Sequence, residues 1–585
     1  MTFDRRQFLA GSGLLATAGL TVPAWARGQS LSHARNGFGE ISGEVINLDI
    51  RNHRFTTGAR SGHAVAINGS VPGPLIRLRE GQDVTLNVTN HLDEDSSIHW
   101  HGLLLPFQFD GVPGVSFPGI KPGETFQYRF PVRQTGTYWW HSHSGLQEQA
   151  GHYGPIVIEG EHAHHMPDPR YDRDIVVLLS EFTARAPHEI ARMLAVGEHY
   201  FNRQMQTVSD GSMTMEERLM WGQMRMNPRD ISDVTGSTYT YLINGHGPAD
   251  DLQFDFEPGE RIRLRIINGS AMTFFNVRIP GVPMAVIAAD GIDVDDVVVD
   301  EFQIGTAETY DVIITPPDGS HALVAEAMDR SGMGVASLTS HAGHRATPPP
   351  LREVPTLTMV DMGMGSHGGT AMDHGAMGHD MPESESAMDM ETSGGMEHSM
   401  RDTSLLPPDV EVGPGLDMVA PMPMDRMDFP GLGLDNVPHR VLRYTDLRSK
   451  QPNPHRMPTR QMEIHLTGNM ERYMWSLDGR QFSAVTDDPI RFAYNERVRV
   501  KLVNDTMMAH PIHLHGHFFE LVNGAGMMNQ PRKHTVVVQP GSTATFDLTA
   551  DEPGDWAFHC HLLYHMHAGM MQTVTVRPFP MEDEQ

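Results

Sequence analysis

The clearest regularity along the chain is a short alternation of apolar and polar residues, met three times. Each run follows a tight turn: Ile67-Asn68-Gly69, Ile243-Asn244-Gly245 or Leu477-Asp478-Gly479. Each continues into an alternating segment that ends in Asn, at residues 85–90, 263–268 and 499–504. Successive strand side chains point to opposite faces, so this period-two pattern predicts strands with one buried face. The interval from turn to terminal Asn is 22, 24 and 26 residues, so the repeated unit is of domain size. Three similar β-sandwich domains are the simplest account, at residues 38–165, 170–345 and 441–580.

Two segments break the pattern. Residues 187–226 read as helical, with Met213, Met220 and Met224 near one helical face, which predicts core packing rather than metal binding. Residues 346–440 separate the second and third repeats. Within 362–400 lie nine Met and four His among Gly, Ser and Asp, with no periodicity and no Lys or Arg. Such a stretch cannot build a core and predicts a flexible, disordered linker.

Composition agrees with an all-β chain. Only 7% of the 585 residues are aromatic, while 57 Gly and 41 Pro make turns frequent. A formal charge of −29 argues against nucleic-acid binding, which needs clustered Lys and Arg, and suits a protein handling cations. The N-terminus carries an address. Asp4-Arg5-Arg6-Gln7-Phe8-Leu9 is a twin-arginine signature, and Ala24-Trp25-Ala26 a small-x-small cleavage site, so residues 1–26 read as an export signal. The apolar run is too short for an anchor and no later stretch qualifies, so no membrane anchor is expected.

Cys560 is the only cysteine, in a chain read as bound for an oxidising compartment, and cannot form an internal disulfide. An isolated Cys is ordinarily a buried core thiol. Its flanks, His559-Cys560-His561, overturn that reading. Three further clusters occur: His99-Trp100-His101, His141-Ser142-His143 and His510-Pro511-Ile512-His513-Leu514-His515, with His565 shortly after Cys560. Two His at i and i+2 on a strand share a face, and imidazole with thiolate selects copper or zinc.

Aligning the repeats on the terminal Asn pairs His99/His101 with His513/His515. Aligning Gly136 with Gly554 pairs His141/His143 with His559/His561. Eight histidines from the first and third repeats therefore converge at an interface. Cys560, His510 and His565 fall opposite Ser142, Ser96 and Gln147, so only the third repeat holds a Cys-His-His site, with Met570 as a candidate axial thioether. In the second repeat Val277 stands where the first has His99, which makes that repeat structural. Strand alternation sends Cys560 to one side and its two His neighbours to the other, joining two metal sites through one short covalent path.

These motifs, with Asn268-Gly269-Ser270-Ala271-Met272 and Tyr138-Trp139-Trp140-His141-Ser142-His143-Ser144, resemble three-domain multicopper oxidases, which share their fold with laccases and cuprous oxidases. The Met/His-rich linker and export signal look most like the bacterial copper-resistance members. The resemblance implies three cupredoxin-like Greek-key sandwiches and four copper ions. It would place type 1 copper on His510, Cys560, His565 and Met570, and type 2 on His99 and His513. One type 3 ion would take His101, His141 and His561, the other His143, His515 and His559. Some relatives carry a proton-delivering carboxylate just after the second type 1 histidine, where this chain has Met566. Asp110 matches another such acidic position, and reads equally as an ordinary Asp-Gly turn.

The expectation is a periplasmic oxidase that takes electrons singly from a reducing substrate and reduces O2 to water. Cu(I) is the preferred donor, delivered with or without other periplasmic copper-handling proteins. A laccase-like phenol oxidase is the alternative within the enzyme class, and a copper-sequestering protein the alternative outside it. Storage has no use for a wired cluster, and a copper nitrite reductase would not need both H-x-H pairs of the first repeat.

Overall fold

The computed structural model describes residues 32–33, 37–160, 168–207, 213–363, 400–483 and 488–578. Six sheets pair into three sandwiches. In each, the alternating strand found in the sequence lies between a parallel and an antiparallel neighbour. Asp83–Asn90 sits between Val45–Thr57 and Thr125–Pro131. Ile262–Asn268 sits between Arg173–Phe182 and Thr309–Ile314, and Arg497–Asn504 between Arg460–Asn469 and Ser542–Thr549. The first sandwich closes over its own apolar core, whereas the second and third share one continuous core.

The repeated turns share one backbone geometry. Their central residues have φ of 51° and 81° at Asn68-Gly69, 51° and 80° at Asn244-Gly245, and 51° and 76° at Asp478-Gly479. Two left-handed residues in succession make the tight hairpin whose twist matches the flanking strands. The Asn or Asp side-chain oxygen then accepts from the backbone N–H of Asp49, Leu178 or His465. The strand-ending Asn has an equally local reason. Its amide donates to the carbonyls of Glu94 and Ile120, of Thr273 and Ile304, or of Met508 and Val538. It thereby pins the connection that, in the first and third domains, leads straight to an H-x-H strand.

The region read as helical forms two short helices, Pro187–Val196 and Met215–Met224, the first ending at Gly197. Met224 is buried and Met213 packs, partly buried, against the shared core. The flanks of the 346–440 segment differ from the flexible reading. Arg352 pairs with Glu301 and Glu326, each at 2.6 Å. Leu357, Met400, Met418, Val419 and Leu432 are buried, and Met424–Asp425 joins the strand Ser542–Thr549. These flanks carry Leu, Val and Arg, which residues 364–399 lack. Residues 364–399 and the export signal lie outside the described residues. Among the described residues no helix is long and apolar enough to cross a membrane.

Candidate metal centre

The four histidine clusters sit on paired strands at the junction of the first and third domains. His99–His101 pairs with Gly136–His141, His99 opposite His141. In the third domain His510–Leu514 pairs with Gly554–Cys560, His513 opposite His559. The two sets then interleave: the rings of His99 and His515 stack with centroids 3.8 Å apart, as do those of His101 and His513. All eight imidazoles meet in one array.

Outer partners orient these rings. Nδ1 of His99 donates to the Asp110 carbonyl at 2.8 Å, and Nδ1 of His513 to the His534 carbonyl at 2.7 Å. Nδ1 of His559 donates to the Cys560 carbonyl at 2.9 Å, while Nδ1 of His515 meets the Asp110 carboxylate at 2.8 Å. Nδ1 of His141 meets Glu148 at 2.6 Å. An imidazole that donates from Nδ1 carries its lone pair on Nε2. Inside the array those lone pairs face one another: His515 Nε2 lies 3.0 Å from His559 Nε2, and His141 Nε2 lies 3.3 Å from His561 Nε2. Nε2 of His99, His143 and His513 and both nitrogens of His101 are buried without a protein partner. Convergent, dry, unpaired acceptors are costly unless a cation satisfies them. The donor set therefore fits copper.

Protonation agrees. Burial, reinforced by the neighbouring imidazoles, holds His101, His141, His143, His513, His515 and His561 well below the ordinary histidine range. Burial first of all also brings His559 down to about 4. At neutral pH these rings are neutral and need shed no proton to bind a metal.

The Cys-His-His site lies on the other side of the strand Gly554–Cys560. Cys560 Sγ is 3.5 Å from His510 Nδ1, which is 3.3 Å from His565 Nδ1. Here the tautomers are reversed. Nε2 of His510 meets the Thr506 hydroxyl at 2.7 Å, and Nε2 of His565 meets Asp233 at 2.8 Å, so both Nδ1 lone pairs turn towards the sulfur. Trp475 stacks on His565 at 3.8 Å between centroids. Burial pushes the Cys560 thiol up, an effect that a bound cation reverses. Met570 is fully buried, and its carbonyl accepts from the Cys560 N–H at 3.0 Å. Met566 packs half-buried against the core.

Asp110 lies in the turn that the sequence suggested. It closes a turn with its N–H on the Phe107 carbonyl, and Gly111 follows at φ 87°, where a Cβ would strike the Ile98 carbonyl. Its buried carboxylate also reaches across the domain boundary to His515. Val277 lies in the strand Phe275–Arg278 of the second domain, buried in the shared apolar core. Sequence reasoning missed three residues. Asp233, from the second domain, orients His565 and also accepts from Tyr473 at 2.7 Å. Glu148 backs His141. His534 places its ring 4.8 Å from that of His101. None of the three stands in a spaced motif.

Eight converging imidazoles wired through one strand to a Cys-His-His triad, on three β-sandwiches, define a copper oxidoreductase of cupredoxin build. The chain belongs to the multicopper oxidase family, whose models match residues 50–163, 176–343 and 455–580. It is thus an oxygen-using oxidoreductase. It is 46% identical to a Copper resistance protein A homolog from Pseudomonas syringae pv. tomato, covering 98% of this chain and 99% of that one. Copper resistance protein A of Escherichia coli is 43% identical, covering 98% and 99%. The crystal structure of Fet3p, a multicopper oxidase that functions in iron import, matches in fold with a TM-score of 0.61 at 17% identity, covering 93% of this chain and 92% of that one.

Proposed function

We propose that the chain is a periplasmic cuprous oxidase of copper resistance, exported by its twin-arginine signal. The copper-resistance names of its relatives support the setting. In this reading His510, Cys560, His565 and Met570 hold the electron-entry copper. His99 and His513 hold type 2 copper. His101, His141 and His561 hold one type 3 ion, and His143, His515 and His559 the other. Copper held there would supply one-electron acceptance at the cysteine site and reduction of O2 to water at the histidine cluster. The chain supplies the connection: His559-Cys560-His561 touches both sites through consecutive residues.

One observation carries the choice of substrate. A cavity of ≈ 510 Å³ is lined by Met205, Met224, Met226, Met418, Met470 and Met507. Glu198, Asp230, Asp417 and Glu471 add four carboxyl groups to the same wall. Thr506, which bonds His510, lines it too, and Asp230 lies three residues before Asp233, which bonds His565. Thioethers favour soft monovalent copper, and carboxylates favour a cation over a neutral phenol. Arg401 also lines the cavity, so the Met/His-rich stretch rejoins the described chain at its rim.

Oxygen uptake by the copper-loaded protein, with Cu(I) or a phenol as donor, tests this. Leu at Met205, Met226 and Met470 together is expected to raise KM for Cu(I) by about tenfold or more and to leave phenol kinetics unchanged. Removing residues 364–399, while keeping the buried Met400, is expected to lower kcat/KM for Cu(I) with the blue centre intact. Faster turnover of the phenol, with Cu(I) kinetics untouched in both variants, would establish the laccase-like alternative. Copper retention without oxygen uptake would establish sequestration.

A further inference from the structure

Glu148 lies in the turn after the strand Gly136–His141, and its carboxylate is 2% exposed. Its Oε2 meets Nδ1 of His141 at 2.6 Å, and its Oε1 is buried without a protein partner. Among the described residues no Lys or Arg pairs with it. A buried carboxylate whose one charged-group contact is an imidazole is expensive for the fold, so a purely stabilising role is a poor explanation. The geometry suits a different one. Trp139 stacks on the His141 ring at 4.3 Å between centroids and 17° between planes, which sets the plane. The shorter bond to Glu148, beside the Ser142 carbonyl at 3.2 Å from the same Nδ1, sets the rotation within that plane, leaving Nε2 to face His561 at 3.3 Å.

The arrangement has a counterpart. Asp110 does to His515 what Glu148 does to His141, at 2.8 Å. His515 and His141 belong to different type 3 ligand sets in the assignment proposed above, on which this inference rests. Both carboxylates come from the first domain. Each carboxyl thus sits at the edge of the histidine array and holds the outer nitrogen of one ring.

We propose that Glu148 is the positioning residue for the type 3 ion held by His101, His141 and His561, fixing the tautomer and orientation of His141 as Asp110 fixes those of His515. Glu148→Ala and the near-isosteric Glu148→Gln test it in the copper-loaded protein. Three readouts apply: EPR-detectable copper, total copper, and the chelator concentration that strips half of it. An exchange-coupled cupric pair is EPR-silent, so a loosened ion shows as new signal or as lost metal. Glu148→Ala is expected to lower chelator resistance of the cluster by roughly 10–100-fold, the usual effect of losing an outer partner of a ligand, with the blue absorption unchanged. Glu148→Gln retains an acceptor oxygen and is expected to restore the silent pair while remaining several-fold easier to strip. Wild-type EPR and chelator resistance in both variants would overturn the proposal. If the alanine variant does not accumulate, wild-type chelator resistance in Glu148→Gln alone suffices to overturn it. A parent protein lacking any EPR-silent copper would instead sink the ligand assignment, so the two failures are distinguishable.

Discussion

The first and third domains place the same four positions around the same point and fill them differently. In the third domain they are His510, Cys560, His565 and Met570; in the first, Ser96, Ser142, Gln147 and His152. The backbone matches in detail: Ser142 N–H donates to the His152 carbonyl, and Cys560 N–H to the Met570 carbonyl, each at 3.0 Å. In the first domain the polar atoms largely satisfy one another, with only His152 Nε2 of these four side chains buried without a partner. Gln147 Oε1 accepts from Ser96 at 2.7 Å and Ser142 at 3.0 Å, with His152 Nδ1 at 3.4 Å. In the third, two ring lone pairs and a thiol converge with no donor of comparable strength between them. The scaffold is neutral towards metal. What separates a closed hydrogen-bond network from a metal site is whether donors and acceptors balance.

The largest expected effect comes from making the third domain resemble the first. Cys560→Ser is expected to abolish the blue absorption and to bring turnover to background, while copper held by the histidine cluster remains. Absorption spectra and copper content check this, and a variant that stays blue defeats the Cys560 assignment. Less drastic are changes that damage one site and spare the other. His101→Ala is expected to slow reoxidation by O2 by more than about 100-fold, beyond the usual loss of an outer partner, with reduction by a donor unchanged. His510→Ala is expected to do the reverse. Stopped-flow bleaching and recovery of the blue band separate the two, and equal defects in both phases would show that the division is wrong.

The smallest effect concerns pH at the electron-entry side. Burial first, then Asp233 and Glu198, raise Asp230 to about 7, and burial raises Asp417 to about 6. A raised carboxyl pKa means that below about pH 7 a proton occupies a place the cation needs. KM for Cu(I) should therefore increase as pH falls through about 7, by about tenfold between pH 8 and 6 for the Asp230 proton, and flatten above it. A phenol, which competes for no such proton, should lack this dependence. Steady-state KM between pH 5 and 8 with both donors decides, and parallel profiles would remove the cavity from the Cu(I) route.

Much of the site was legible because its signals are local. An H-x-H pair on a strand shares a face whatever surrounds it, and the Asn-Gly and Asp-Gly turns carry their conformation in their own residues. The match of Ser96, Ser142 and Gln147 to the triad followed from counting along repeats, since equal topology imposes equal spacing. Met570 could be counted in the same way, yet its counterpart His152 emerged only from the shared backbone bond. The helical reading of residues 187–226 found the helices but not the break at Gly197. The anchored flanks of residues 346–440 were hidden by the Met-rich stretch between them.

By itself the sequence determined the number of sandwiches, the ligand types, and the placing of a thiolate between two histidines that face away from it. All of these depend on alternation within a strand or on repetition along the chain. Only the tertiary structure decided which carboxylate meets which imidazole. Asp110 and His515 are 405 residues apart, and Asp233 and His565 are 332 apart. Those partners sit in loops and turns, where no period constrains the side chain. Their pairing arises when separate sandwiches dock and exclude water from between them. Packing of whole domains therefore sets the tautomer and orientation of His515 and His565, whereas the His559 and His510 rings are held by partners one and four residues away.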